Sequence, residues 1–185
     1  MDQGQALSQK IEEAYAYLSG KVELPVRIGI ILGTGLGRLA EEVEMETEVQ
    51  YGDIPHFPVS TVESHAGRFI FGKLGGKRVV VMQGRFHYYE GYHMHEITFP
   101  VRVMKEMGVT HLLISNAAGG LNPLYKKCDI MLMDDHINLI GDNPLIGIND
   151  PKLGPRFPDM SEPYSKRLMD IGEKSARENG FSIHR

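Results

Sequence analysis

The sequence has a single cysteine, Cys128, so no disulfide can form within the chain. One thiol fits a reducing compartment, since disulfide frameworks are typical of secreted proteins. The first residues, MDQGQALSQKIEEAY, lack the positive segment and the apolar stretch of a signal peptide. No apolar run approaches the length of a membrane span. These absences predict a cytoplasmic protein with no membrane partner.

The sequence also has no excess of positive charge. Lysine and arginine total 20 against 24 aspartate and glutamate residues, which gives a net charge of −4. A nucleic-acid-binding protein usually shows a basic stripe, so this balance argues against a nucleic-acid partner. A small anionic substrate stays compatible with it, because a few local cations can bind an anion within an acidic protein.

Two common kinds of reactive site are missing as well. His93 and His95 alternate as metal ligands on a strand would, but no cysteine or close carboxylate completes a set. No Ser-His-Asp arrangement is recognisable, and Cys128 lacks the surroundings of a nucleophile. We therefore expect neither a metal ion nor covalent catalysis by the protein.

What is present is an alternation of strand-like and helix-like segments. Helical spacing of apolar residues predicts helices that end near Gly20, begin near Thr98 and begin near Ser161. Apolar runs predict strands at 26–32, 68–72, 78–83, 111–115, 129–133 and 136–140. The pair 68–72 and 78–83 forms a hairpin. This pattern predicts one α/β domain over residues 1–185, with a mixed central sheet flanked by helices.

A glycine-rich loop, 33–37, follows the first predicted strand and leads into a helical stretch. Glycines let the backbone approach an anion, a helix N-terminus offers free N–H groups, and the Thr34 hydroxyl adds a donor. The spacing G-x-G-x-G matches neither the dinucleotide fingerprint nor a phosphate loop with Gly-Lys-Ser/Thr. A tight strand–helix turn without a ligand is an equally good interpretation.

The segment 83–92 follows a buried strand directly, which is where open α/β sheets bind ligands. Arg85, His87 and Tyr89 alternate, so in extended chain they share one face. Arginine matches phosphate oxygens, histidine adds a donor and tyrosine offers a flat surface for a sugar. Glu90 is placed to hold Arg85 or His87. An exposed loop with mixed aromatics is the alternative.

Two further segments are weaker candidates. Residues 116–120 are small and follow a predicted strand, so a ligand can reach their N–H groups, although close packing explains them equally well. His65, flanked by small residues, is accessible to a ligand, although a lone histidine is more often structural.

Together these segments resemble the ordered signature of trimeric purine nucleoside phosphorylases, and the likeness covers nearly the whole chain. The matching stretches are LGTGLG (32–37), HAGR (65–68), MQGRFHYYEGY (82–92), SNAAGGLNP (115–123), DDHINLI (134–140) and RFPDMS (156–161). The stretches QGRFHYYEGY and NAAGGLNP are specific to this family, whereas the glycine loop 33–37 is not.

The resemblance implies a phosphate site at Thr34, His65, Arg85, His87 and the Ala117 N–H. His65 would orient the phosphate for attack, so His65, His87 and Arg85 are the implied catalytic residues. Inorganic phosphate would be a co-substrate, and no cofactor is implied.

The resemblance also implies substrate contacts. Tyr89 would contact the ribose, and Ala118 would lie near the base and sugar. Phe157 would reach over the ribose in a neighbouring subunit of a homotrimer.

The implied reaction is phosphorolysis of purine nucleosides in purine salvage. In the family, purine recognition comes from residues beyond the helix at 161–179, and those positions are absent from this sequence. The C-terminal portion of the family domain is therefore expected to be missing, and the 185-residue chain is expected to be impaired. Two alternatives stay open: a methylthioadenosine phosphorylase and a non-catalytic phosphate-binding fragment. A dinucleotide-binding domain is opposed by the glycine spacing.

Overall fold

The computed structural model describes residues 3–33, 35–59 and 67–185 and contains a five-stranded mixed sheet with α-helices, which confirms the predicted α/β class. The main elements are α1 (Gln3–Ser19), β1 (Ile28–Ile31), β2 (Glu44–Gln50), β3 (Arg68–Leu74), β4 (Lys77–Gln83), α2 (Met94–Glu106), β5 (His111–Ile114) and α3 (Lys166–Glu178). Short 3-10 helices span Gly37–Glu42, Tyr51–Asp53 and Tyr88–Glu90.

The chain divides into two compact units. The first comprises Met1–Ala117 with Asp142–Gly154, and the second comprises Ala118–Gly141 with Pro155–Arg185. The whole sheet, α1 and α2 belong to the first unit, and α3 belongs to the second. A single domain over residues 1–185 stays a prediction.

The strand order is β2-β3-β4-β1-β5. β1 pairs in parallel with both β4 and β5, whereas β2, β3 and β4 pair antiparallel in sequence order. The chain therefore leaves β4, β1 and β5 at the same edge of the sheet. Ligands of open α/β sheets bind at this kind of edge, outside the carboxyl ends of the strands.

Both faces of the central strands β1, β3 and β4 are covered in the first unit. On one face α1 and α2 bury a cluster that includes Leu18, Phe69 and Met104. On the other face Ala40, from the 3-10 helix Gly37–Glu42, packs against Ile70. Burial on both faces explains why β1, β3 and β4 contain continuous apolar runs instead of alternating ones.

Tyr51 connects this core to the sheet edge. Its ring contacts Phe57, Phe69 and Phe86 with centroid separations of 5.4–5.7 Å. Its hydroxyl donates a hydrogen bond of 2.8 Å to the carbonyl of Gly84, the first residue after β4. Burial raises the pKa of the Tyr51 phenol, so it remains a donor at neutral pH. The backbone that leads into the candidate site is thus fixed by a buried side chain.

Several sequence predictions for the first unit need correction. The strand β2 was not predicted, because its sequence EMETEVQ carries three glutamates. The helix predicted to begin near Thr98 begins at Met94 instead. His93 precedes it, and Glu96 accepts a 2.8 Å hydrogen bond from the His93 N–H, which satisfies a donor at the helix start. Thr98 lies inside the helix, where its hydroxyl bonds the carbonyl of Met94.

Predictions for the second unit were less successful. Residues 129–133 and 136–140 are not strands; the only pairing there, among the described residues, is a bridge between Met131 and His184. The helix predicted to begin near Ser161 begins at Lys166, and Ser165 caps it. It buries Met169 and Ala176, whereas Ile171 is exposed.

Within the part of the chain that the structure describes, none of the helices combines the length and apolar character needed to cross a membrane.

Candidate active site

Three loops meet at the edge where β4, β1 and β5 end. They are the loop that begins at Gly33, the segment 84–90 and the segment 115–117. The parallel pairing of β1 with both neighbours brings them together although they are far apart in sequence. The sequence predicted each loop as a candidate, and the sheet order shows that they are neighbours.

Arg85 is held at this edge by two hydrogen bonds. Its Nη1 donates to the carbonyl oxygen of Ser115 at 2.7 Å, and its Nε donates to Nε2 of His87 at 3.2 Å. The first bond links the loop after β4 to the end of β5. A guanidinium fixed in this way is a preorganised cation for a bound oxyanion.

His87 is oriented by Glu90. One oxygen of the Glu90 carboxylate, Oε1, accepts the backbone N–H of His87 at 2.9 Å and lies 2.8 Å from its Nδ1. Because Nε2 accepts from Arg85, the proton on the ring lies on Nδ1 and is donated to Glu90. The Glu90 side chain is only 2% exposed and that of His87 15%. The carboxylate is therefore a fixed support that turns Nε2 toward Arg85.

Tyr89 completes the predicted face. Its ring stacks on that of His87, with centroids 4.7 Å apart and planes 16° apart. Tyr89 is 78% exposed, so its ring presents an open flat surface next to Arg85 and His87. Arg85, His87 and Tyr89 thus lie together, even though Tyr88–Glu90 is a 3-10 turn and not extended chain. Their roles stay predictions.

The loop after β1 approaches the end of β5 closely. A Cβ built on Gly33 would lie 2.5 Å from the carbonyl oxygen of Ser115, so only glycine fits here. Gly33 donates its N–H to the Ser115 hydroxyl at 2.9 Å. Gly35 has φ +91°, a conformation that favours glycine. Thr34 and His65 lie outside the described residues, so their predicted roles stay predictions.

The remaining predicted residues divide between the units. Ala117 ends the first segment of the first unit, and its carbonyl accepts from the Asn116 side chain at 3.4 Å. Ala118 and Phe157 belong to the second unit. Phe157 is 87% exposed, and the guanidinium of Arg156 lies 5.9 Å from its ring. The predicted role of Phe157 across a subunit interface stays a prediction.

Sequence reasoning missed two residues that build the site. Tyr51 holds the Gly84 carbonyl, and Ser115 contacts both Gly33 and Arg85. The apolar run 111–115 predicts Ser115 only as the last residue of a strand. The signal that points to it is a hydroxyl side chain at the end of an apolar strand, directly before a run of small residues.

No group of three or more histidine, cysteine, aspartate or glutamate side chains is placed to hold a metal ion in residues 3–33, 35–59 and 67–185. The described site contains the fixed Arg85 guanidinium, the His87–Glu90 pair and the exposed Tyr89 ring.

The fold and these side chains define an α/β protein with a candidate anion site at a sheet edge. Residues 27–185 match the family described as the Phosphorylase superfamily, and the chain belongs to that family. It is 55% identical over 173 residues to purine nucleoside phosphorylase 1 of Geobacillus stearothermophilus, covering 94% of this chain and 63% of the relative. It is 50% identical over 179 residues to purine nucleoside phosphorylase 1 of Bacillus subtilis, covering 97% of this chain and 66% of the relative.

A solved structure that is similar to this chain comes from a protein of the same kind. Isoform 2 of purine nucleoside phosphorylase from Schistosoma mansoni, in complex with cytosine and ribose-1-phosphate, superposes with a TM-score of 0.90 at 44% identity. That match covers 95% of this chain and 64% of the other. The resemblance to purine nucleoside phosphorylases is confirmed, and the chain spans less than two thirds of the length of these relatives.

The support that Glu90 gives to His87 leads to a prediction. Glu90→Ala should weaken phosphate binding roughly 3- to 10-fold, since about 0.5–1.5 kcal/mol is typical of one lost hydrogen bond. Titration calorimetry with inorganic phosphate at neutral pH measures this change. The matched control is Glu96→Ala, which removes the equivalent contact from Glu96 to the His93 N–H at the start of α2. Equal phosphate affinity in the parent chain and Glu90→Ala would show that Glu90 does not position the site.

Proposed function

We propose that the protein catalyses phosphorolysis of purine nucleosides and deoxynucleosides. The bond between the base and the anomeric carbon breaks, a bond from that carbon to a phosphate oxygen forms, and the products are a free purine and (deoxy)ribose 1-phosphate. The observation that carries this proposal is the group of Arg85, His87 and Glu90 at the edge where β4, β1 and β5 end. The similarity to named purine nucleoside phosphorylases supports it.

In this proposal Arg85 and His87 bind the phosphate, together with the Ala117 N–H, Thr34 and His65. Arg85 contributes a fixed positive charge. His87, whose Nδ1 is held by Glu90, contributes Nε2, which accepts a hydrogen bond from a protonated phosphate oxygen. His65 orients the phosphate for attack on the anomeric carbon as the glycosidic bond loosens. The protein supplies no nucleophile, so catalysis consists of positioning and electrostatic stabilisation. Phosphate is a co-substrate, and the reaction uses no cofactor.

The sugar and base contacts form the second part of the proposal. The exposed Tyr89 ring, stacked on His87, suits the apolar face of a ribose held next to the phosphate. Ala118 contacts the base and sugar, and the exposed Phe157 crosses to the site of a neighbouring subunit in a homotrimer. A related protein from Schistosoma mansoni has been solved in complex with adenosine, and one from schistosoma in complex with hypoxanthine, which supports a purine nucleoside as substrate. A role in purine salvage and a cytoplasmic location complete the proposal.

The test measures release of free purine from inosine and guanosine by the purified chain, with and without inorganic phosphate. We expect weak release that depends on phosphate and disappears in Arg85→Ala. Methylthioadenosine is assayed in parallel, and a preference for it would favour a methylthioadenosine phosphorylase. Phosphate binding without any purine release would support a non-catalytic phosphate-binding chain. Absence of both phosphate binding and purine release would contradict the proposed function.

A further inference from the structure

We propose that Ser115 is a positioning residue for the phosphate site, which fixes the glycine loop and Arg85 relative to each other. This inference rests on the proposed function and adds a residue that acts through others, without itself touching the substrate. Ser115 is half-buried and follows β5 directly.

The Ser115 hydroxyl connects the ends of two strands. Its oxygen accepts the N–H of Gly33 at 2.9 Å and donates to the carbonyl of Ile31 at 3.3 Å. The Ser115 N–H also donates to the Ile31 carbonyl, at 3.0 Å. A side chain at this position must both accept and donate to make these contacts, and a hydroxyl does both.

The Ser115 carbonyl serves the loop after β4. It accepts from Nη1 of Arg85 at 2.7 Å, and it is also the atom that a Cβ on Gly33 would approach to 2.5 Å. One residue therefore sets the position of the guanidinium through its backbone and the position of the glycine loop through its side chain. These two functions separate experimentally, because a substitution at Ser115 removes the hydroxyl and leaves the carbonyl in place.

Ser115→Ala leaves the Gly33 N–H without its acceptor, so the start of the glycine loop is held less firmly against β5. We expect phosphate affinity to fall about 3- to 10-fold, in line with the loss of one hydrogen bond at a partly buried site. Ser115→Thr keeps the hydroxyl and should bind phosphate within about 2-fold of the parent chain. The dissociation constants are measured by calorimetry with inorganic phosphate.

The matched control lies at the other end of the same strand. Thr110 precedes β5, and its hydroxyl contacts the Arg27 carbonyl at 3.4 Å and Nδ1 of His111 at 2.9 Å. Thr110→Val removes that hydroxyl at the amino-terminal end of β5, away from the site, and should leave phosphate affinity unchanged. A loss of affinity that merely follows lower stability would appear in both variants.

Amide exchange of Gly33, followed by NMR and compared with exchange at the buried core residue Val80, separates a local effect from general destabilisation, which speeds exchange at both residues. We expect faster exchange at Gly33 in Ser115→Ala than in the parent chain, and parent-like exchange in Ser115→Thr. Should Ser115→Ala fail to fold, Ser115→Cys replaces it, since the weakly accepting thiol should produce an intermediate loss of affinity.

The outcomes separate this inference from the proposed function. Unchanged phosphate affinity in Ser115→Ala, together with a clear loss in Arg85→Ala, would overturn the role of Ser115 and leave the proposed function intact. Absence of phosphate binding by the parent chain would overturn both. Reduced affinity in Ser115→Ala that Ser115→Thr restores supports the inference.

Discussion

Arg85→Ala should weaken phosphate binding roughly 10- to 150-fold, the largest effect expected of a single side chain in this site. Hydrogen bonds to charged groups contribute about 1.5–3 kcal/mol, and each 1.4 kcal/mol corresponds to about tenfold in affinity. The guanidinium is already fixed by its bonds to Ser115 and His87, so little side-chain freedom is lost when the anion binds. Calorimetry with inorganic phosphate measures the change directly.

Two further variants test whether the geometry of Arg85 matters as well as its charge. Arg85→Lys keeps the charge and loses the planar fork, so we expect an intermediate loss of affinity. Arg78→Ala removes an arginine at the opposite end of β4, where Arg78 pairs with Glu23 and Glu46. This control should bind phosphate like the parent chain. If Arg85→Ala retained parent affinity, the phosphate site would be wrongly assigned.

Much of the site could be predicted from sequence because its residues lie next to each other in the chain. Arg85, His87 and Tyr89 alternate directly after an apolar strand, and a buried strand followed by polar residues indicates a ligand site. Their grouping depends on local backbone geometry, which a short segment specifies. The support from Glu90 was foreseen for the same reason, since it lies three residues after His87.

The contributions of Ser115 and Tyr51 could not be predicted because they depend on contacts distant in sequence. Ser115 meets Gly33 and Arg85 only because β1 lies between β4 and β5, and no local pattern specifies that order. The Tyr51 hydroxyl bonds the Gly84 carbonyl, and its ring is positioned by aromatic residues that come from separate segments. The sheet order is a property of the whole fold.

The errors in secondary structure also have physical reasons. β2 contains three glutamates and looks unlike a strand, but it lies at the outer edge of the sheet, where charged side chains remain in solvent and oppose edge pairing. Residues 136–140 look like a buried strand, yet Ile137 and Leu139 are exposed. Apolar periodicity indicates which residues suit burial, whereas a strand also needs a partner for its backbone.

The close approach of Gly33 to Ser115 leads to a second prediction of large effect. Gly33→Ala should lower phosphate affinity at least about tenfold and lower the free energy of unfolding by about 1–3 kcal/mol, the usual cost of forcing extra atoms into a packed site. The added Cβ would lie 2.5 Å from the Ser115 carbonyl oxygen and 3.0 Å from Cα of Asn116. Both neighbours are backbone atoms, so the clash is relieved only if the ends of β1 and β5 move apart. That movement displaces the carbonyl to which Arg85 is bonded.

Gly72→Ala is the matched control for Gly33→Ala, because it creates the same kind of clash far from the site. Its Cβ would lie 2.3 Å from the carbonyl oxygen of Glu44, at the pairing of β2 with β3. In denaturant melts we expect Gly72→Ala to lose a comparable free energy of unfolding. The folded variant should bind phosphate within about 2-fold of the parent chain, because the added atoms disturb packing only near Gly72. Equal losses of phosphate affinity in both variants would mean that Gly33 matters only for stability. A loss confined to Gly33→Ala would show that the contact between the ends of β1 and β5 sets the geometry that binds phosphate.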